Sequence, residues 1–284
     1  MASSGASKTF AFLGDWGLDT SQRRRVFHVL SELHPGGVVV LGDNAYPNGY
    51  PSKEPKPEPW HVSVPCPWYG VLGNHDHHSD PSWQFHRGTP WEMPSHYYSR
   101  WMPEISCYWL FVDTCIMDPE YTTDIMVSAG VAVDDIQRFQ QRCRIHQEKQ
   151  WEWLSYHLKH RPVSCSWTIV CGHYPIYSVG PHIDSIILST RLLPLLRRFS
   201  VDFYFAGHNH NAQVLQDPAS PLLHIISGAV CTTTGHPFRS SPLLRFFSES
   251  PGFFRLTLSP RQADLTYLDA IRHASTHHHL FLKN

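Results

Sequence analysis

Short unbroken apolar runs and helical apolar stripes alternate along the first two thirds of the chain. Val38-Val39-Val40-Leu41 is uniformly apolar and reads as a strand buried on both faces. It ends in Gly42, where the backbone can turn sharply, and leads into Asp43-Asn44-Ala45-Tyr46. Upstream, Thr9 to Leu13 predicts another strand, running into Gly14-Asp15-Trp16-Gly17. Between the two, Val26, Val29, Leu30 and Leu33 fall on one helical face. Asp19, Thr20 or Ser21 can cap that helix, and His34-Pro35-Gly36 stops it. The result is a β-α-β unit with parallel strands, so Asp15 and Asp43 are expected at neighbouring carboxyl ends, where open α/β sheets place their ligands.

The pattern breaks at residues 47–67, whose many prolines exclude a regular helix and predict an extended surface loop. It resumes as a strand over Trp68 to Leu72, ending in Gly73-Asn74-His75-Asp76-His77-His78. Ser79 to Arg87 predicts a short helix, and Tyr97 to Trp101 with Cys107 to Asp113 an antiparallel strand pair. Residues 116–147 read as a polar insertion with one helix near Asp135 to Ile145; Trp151, Leu154 and Leu158 mark another helix. Trp167 to Val170 predicts a buried strand before Gly172-His173-Tyr174-Pro175, and Leu192 to Phe199 a helix regular from Pro194. Asp202 to Ala206 leads into Gly207-His208-Asn209-His210. Strands near Leu222 to Ser227, Phe253 to Leu258 and Ala263 to Leu268 are expected to form a second, more antiparallel set. The expected division is a tail over 1–8, a domain over 9–270, and a frayed tail over 271–284 that holds His277, His278 and His279.

Composition narrows the function. The 284 residues carry a formal net charge of -1, which makes no electrostatic case for nucleic acid or an anionic membrane. No apolar stretch approaches the roughly 20 residues that span a bilayer. The N-terminus lacks the apolar core of a signal peptide, so the expectation is a soluble intracellular protein, secreted or lysosomal if its true start lies upstream. The seven cysteines include no CxxC pair and indicate neither a disulfide framework nor a zinc knuckle. The 21 histidines are abundant for this length and point towards metal.

One arrangement recurs: an apolar strand, a glycine, then Asp, Asn or His, at Gly14-Asp15, Gly42-Asp43, Gly73-Asn74, Gly172-His173 and Gly207-His208. A single Gly-Asp after a strand is commonly a turn. Their repetition, always with metal-donor residues, argues for a metal centre. A carboxylate can hold two ions, one on each oxygen, and a phenolate suits a hard, highly charged ion. Asp43 is therefore expected to bridge two metals and Tyr46 to mark one as ferric, although Tyr46 could also simply pack under its loop. His208 and His210, two apart, can project to one side of an extended segment and serve adjacent metals.

These blocks resemble the five motifs of the purple acid phosphatases, a branch of the calcineurin-like metallophosphoesterases, and most of all the small tartrate-resistant type. The resemblance spans about residues 9–270 and includes Trp91-Glu92-Met93-Pro94, Phe111-Val112-Asp113-Thr114 and the Trp151 helix. It implies an α/β fold of two packed mixed sheets flanked by helices, with the metal site at the carboxyl ends of strands. Asp15, Asp43, Tyr46 and His210 would hold Fe(III), and Asp43, Asn74, His173 and His208 a divalent ion (iron, zinc or manganese). Formally, about -3 from Asp15, Asp43 and Tyr46 meets about +5 from the ions, and the surplus attracts phosphate.

The implied activity is hydrolysis of phosphate monoesters in acid by a metal-bound hydroxide, which a trivalent ion would preserve below neutral pH. His75 is the first candidate for the acid that protonates the leaving group and His182 the second, with Asp76 orienting a neighbouring histidine. The alternative is a phosphodiesterase or nucleotide hydrolase with two divalent ions. A non-catalytic binding module would be expected to lose ligands, and all seven are present. The expected partners are small phosphate esters, with no nucleic acid or membrane, and the chain is expected to be a monomer. Three departures stand out: Ala45 replaces an aromatic residue, Asn209 replaces Asp, and the Pro-rich stretch replaces a longer helical segment.

Overall fold

The computed structural model describes residues 6–49, 64–85, 90–182 and 184–283. Most of the Pro-rich stretch, residues 50–63, lies outside them.

The chain forms two packed mixed sheets, each of 7 strands. The first contains β1 (Lys8–Leu13), β2 (Gly37–Leu41), β3 (Trp68–Val71), β4 (Trp91–Glu92), β12 (Gly252–Leu258), β13 (Gln262–Asp269) and β14 (Ala274–Leu282), in the order β14-β13-β12-β1-β2-β3-β4. The second contains β5 (Tyr98–Met102), β6 (Cys107–Phe111), β7 (Trp167–Cys171), β8 (Phe203–Ala206), β9 (Ala212–Gln216), β10 (Leu223–Ser227) and β11 (Leu244–Ser248), in the order β11-β9-β10-β8-β7-β6-β5. As expected, β1 and β2 run parallel around helix α1 (Ser21–Leu33), whose N-cap is Thr20, and β5 pairs antiparallel with β6.

Strand alternation explains the layers. Phe10, Phe12, Val39 and Leu41 face inward and meet Trp109, Phe111, Ile169 and Phe205 of the second sheet in one buried core. Their neighbours Ala11, Leu13, Val38 and Val40 face outward onto Val26 and Leu30 of α1. The other face of the second sheet, with Leu110, Val170 and Tyr204, is covered by helices α2 (Thr114–Met117), α3 (Pro119–Ser128), α4 (Val133–Lys159) and α5 (Leu193–Arg198). Both strand faces are therefore dry, which is why these strands are unbroken apolar runs.

Several expectations need correction. The segment 116–147 is helical for most of its length, and its predicted helix is continuous with the Trp151 helix as α4. Ser79 to Arg87 contains only a 3₁₀ turn over Pro81–Gln84, with 86–89 outside the described residues. A π-helical turn over Leu188–Leu192 precedes α5. The three late strands do not form one set: β10 lies parallel to β8, whereas β12 and β13 extend the first sheet beside β1. Nor is the C-terminus a frayed tail, because β14 pairs antiparallel with β13 through the backbone of His277, His278 and His279. Among the described residues, no helix is long and apolar enough to cross a membrane.

Candidate metal centre

The loops leaving β1, β2, β3, β7 and β8 converge at one edge of the two sheets, each bringing the residue after its glycine into a buried cluster. Asp15, Asp43 and His208 have φ values of 56°, 53° and 67°, in the left-handed region that non-glycine residues seldom adopt. Such strain persists only where surrounding contacts hold it. Asp15 N donates to Gly42 O (3.1 Å) and Gly17 N to Asp43 O (3.1 Å), locking the first two loops together. Trp16 Nε1 donates to Asn44 Oδ1 (2.8 Å), and Asn44 Nδ2 donates to Val71 O and Gln84 Oε1, both at 2.9 Å.

Around Tyr46, the phenol Oη lies 2.9 Å from Asp43 Oδ2, 3.3 Å from Asp15 Oδ1 and 3.3 Å from His210 Nε2. His210 Nε2 is 3.4 Å from Asp15 Oδ1. On the other side of Asp43, His173 Nε2 lies 3.5 Å from Asp43 Oδ1 and 3.1 Å from Asn74 Oδ1. The His208 ring is 5.1 Å from that of His173. Asp43 thus presents one oxygen to the Tyr46 group and the other to the His173 group, the arrangement a bridging carboxylate requires. All seven candidate ligands are brought together.

The donor set suits cations. Two buried carboxylates face only tyrosine and histidine side chains among the described residues, and the buried Asp15 Oδ2 has no hydrogen-bond partner. Ligand atoms of Asp15, Asp43 and His173 all lie within 4.8 Å of one another. Burial, then the charges of Asp43 and Asp15, push the Tyr46 phenol well above its ordinary pKa. Only a cation placed among these oxygens would reverse that and favour phenolate.

The outward nitrogens of the histidines are occupied. His173 Nδ1 donates to Leu41 O (2.8 Å), His210 Nδ1 meets Thr232 Oγ1 (2.6 Å), and His208 Nε2 meets Tyr121 Oη (3.2 Å). The sequence reading does not pick out Thr232 or Tyr121. Both lie in segments with no motif, and only the fold brings them to the site.

His75 and His182 both border the cluster, the first against Tyr46 and the second against His208. The His75 ring packs 4.4 Å from Tyr46, its amide donates to Asp43 Oδ1 (3.0 Å), and its Nδ1 donates to Pro47 O (2.6 Å). The His182 ring, exposed on one side, stacks 4.1 Å from His208, and partial desolvation lowers its pKa. Its amide donates to Asn209 Oδ1 (3.2 Å), so Asn209 positions the His182 loop.

Asp76 differs from expectation. It orients no histidine: its carboxylate accepts from Asn44 N, Gly73 N and Gln84 Nε2, tying the loops after β2 and β3 together. Burial, then the nearby Asp43 charge, raise its pKa to about 7. The carboxylate that does hold histidines is Asp113, partnered with His77 and His96. His77 and His78 are both buried, neither facing solvent.

The model of the calcineurin-like phosphoesterase family matches residues 8–212. The chain is 28% identical to tartrate-resistant acid phosphatase type 5 of Oryctolagus cuniculus, over 94% of this chain and 89% of that protein. It is 26% identical to purple acid phosphatase 17 of Arabidopsis thaliana, over 94% of this chain and 82% of that protein. The solved structure of GAP50, the anchor in the inner membrane complex of Plasmodium, has the same fold: TM-score 0.78 at 22% identity, covering 98% of this chain and 90% of that one. By the match of the family model, and with its strand-end motifs assembled at one edge of two mixed sheets, the chain belongs to the calcineurin-like phosphoesterase family.

Proposed function

We propose that the protein is a metal-dependent phosphatase that hydrolyses phosphate monoesters in acid. In this reading Asp15, Asp43, Tyr46 and His210 hold Fe(III), and Asp43, Asn74, His173 and His208 hold a divalent ion. The carrying observation is the Asp43 carboxylate, one oxygen on Tyr46 and the other beside His173, inside a buried set of donors that has no cationic partner other than histidine among the described residues. The names of the acid phosphatase relatives support a phosphatase. When bound, such a pair of ions supplies charge for the phosphoryl oxygens and activates water as the nucleophile.

The chain's own residues do the rest. Neutral Asn74 adds a ligand without cancelling the positive surplus that draws a phosphate group in. His75, with Nδ1–H committed to Pro47 O, keeps Nε2 free to carry a proton to the leaving oxygen. His182, stacked over His208, is the second group able to do so.

Visible absorption of the iron-loaded protein beside its Tyr46→Phe variant tests the metal assignment. A broad band lost in the variant is expected; iron bound without such a band would leave Tyr46 as packing and favour two divalent ions. Relative rates on mono- and diesters test the substrate class, and a preference for diesters would overturn the monoester reading. His75→Ala should slow alkyl esters by about 10²-fold or more, and activated aryl esters far less. Equal losses on both would deny His75 the acid role.

A further inference from the structure

Beneath the 3₁₀ turn His75–His78 lies a second group of metal donors that the phosphatase reading does not use. Asp113 caps α2, its Oδ1 accepting from Cys115 N (3.1 Å) and Ile116 N (3.2 Å). The same carboxylate faces two imidazoles: His77 Nε2 at 3.0 Å and His96 Nδ1 at 2.9 Å, both measured to Oδ2. One ligand atom each of His77, Asp113 and Cys115 lies within 4.8 Å of the other two, and all three side chains are fully buried. The other nitrogen of His77, Nδ1, is buried without a partner. The Arg142 guanidinium is turned away onto the carbonyls of His77 and Ser79 (3.2 and 3.3 Å), so among the described residues the buried carboxylate has only histidines as hydrogen-bonding side-chain partners.

Two imidazole nitrogens, one carboxylate oxygen and one thiol are a mixed donor set that suits a borderline-soft, four-coordinate ion and not calcium or magnesium, which require oxygen. A divalent cation would neutralise a carboxylate that is costly to bury with so little countercharge. We propose that His77, Asp113 and Cys115 form the core of a structural zinc-type site, separate from the candidate dinuclear centre, with His96, which meets the group on its Asp113 side, as the fourth ligand. On ligation the Cys115 thiol releases its proton to solvent, and each imidazole binds through the nitrogen that now faces Asp113, carrying its remaining proton on the opposite nitrogen.

The position gives the ion a task. His77 follows Asn74 in the loop after β3. Thr114, between Asp113 and Cys115, accepts from the amides of His173 (3.1 Å) and Tyr174 (2.9 Å) through Oγ1. An ion here ties the loop carrying Asn74 to the loop carrying His173. On the outer side of the group, the partly exposed ring of His146 on α4 lies 4.8 Å from that of His96.

The test uses the full chain with the dinuclear centre disabled by Asp15→Asn and Asp43→Asn, its folding checked by circular dichroism. It is titrated with zinc alone and then with cobalt(II) alone. The expected result is one tightly held equivalent of zinc, and a sulfur-to-cobalt charge-transfer band that Cys115→Ser removes. Cys115→Ser and His96→Gln, the latter at the edge of the cluster, should each weaken zinc binding by about tenfold or more. A folded double variant that retains no zinc would overturn the site. So would retention that neither Cys115→Ser nor His96→Gln alters. Both outcomes are independent of whether the protein hydrolyses phosphate esters.

Discussion

At the scale of single residues, the nitrogen each histidine offers is set from outside the cluster. Leu41 O on His173 Nδ1 and Thr232 on His210 Nδ1 leave Nε2 as the donor of both rings. Tyr121 on His208 Nε2 leaves Nδ1 instead, so this ring approaches the site by its other edge. Partners of this kind fix tautomer and ring orientation. Tyr121→Phe removes the hydroxyl while keeping an aromatic ring against Tyr174, 4.9 Å away. Divalent-metal affinity should fall by about 10–100-fold, while stability changes by only about 1 kcal/mol, the worth of one hydrogen bond. A competition titration and a thermal melt measure the two. Unchanged affinity would mean that His208 is held by its own strained backbone, without need of the phenol.

At the scale of elements, the site depends on two loops lying almost against each other. A Cβ on Gly73 would sit 2.2 Å from Asp43 Oδ1 and 2.3 Å from Asp43 N. Gly73→Ala must therefore push the loop after β3 away from the expected bridging carboxylate. The expected outcome is loss of bound metal with about 1–3 kcal/mol of destabilisation from overpacking. Gly130→Ala is the control: its φ is +70° and a Cβ there meets nothing within 4 Å, so it strains the backbone but should leave metal content intact. Full metal content in Gly73→Ala would show that the loops can part without losing the site.

The same loops explain what was legible in the sequence. Val38 to Leu41 is apolar because both faces of β2 are covered, and each strand of this kind announces the glycine and donor that follow it. The helix α4 is obscure because its first half buries little more than Phe139 and Cys143, and Gln150 occupies a buried position farther along. Gln150 is there to bond the backbone of Asp113, a role no periodicity reveals. The strand β14 escapes because polar residues fill most of its length at the sheet edge. Asp113 holds histidines where Asp76 is expected to, because a carboxylate's partner is decided by which loop lies nearest, and that is a property of the packing between sheets.

At the scale of the whole molecule, the proposed hydrolysis in acid would require a fold that tolerates acid, and His224 on β10 opposes this. Its ring is buried between Tyr177 (4.9 Å) and Tyr204 (6.1 Å), and neither nitrogen has a hydrogen-bond partner. Burial lowers its pKa to about 3, the nearby Asp217 charge offsetting only part of the shift. The unfolded chain binds a proton at this residue near pH 6.5, but the folded protein does not until about pH 3. Stability from this residue is therefore intact above the unfolded value and drains away as pH falls through the window between the two. At about pH 4.5 the loss should be on the order of 3 kcal/mol relative to neutrality. His224→Leu keeps an apolar side chain of similar size and removes the titration. Its urea midpoint should match that of the wild type near pH 7 to within the cost of repacking, then fall less steeply towards about pH 4.5. Parallel midpoint curves for the two proteins would mean that His224 takes up its proton in the folded state as readily as in the unfolded one. The acid sensitivity of the fold would then lie with other buried histidines, among them His78, whose pKa burial and the neighbouring His75 lower to about 4.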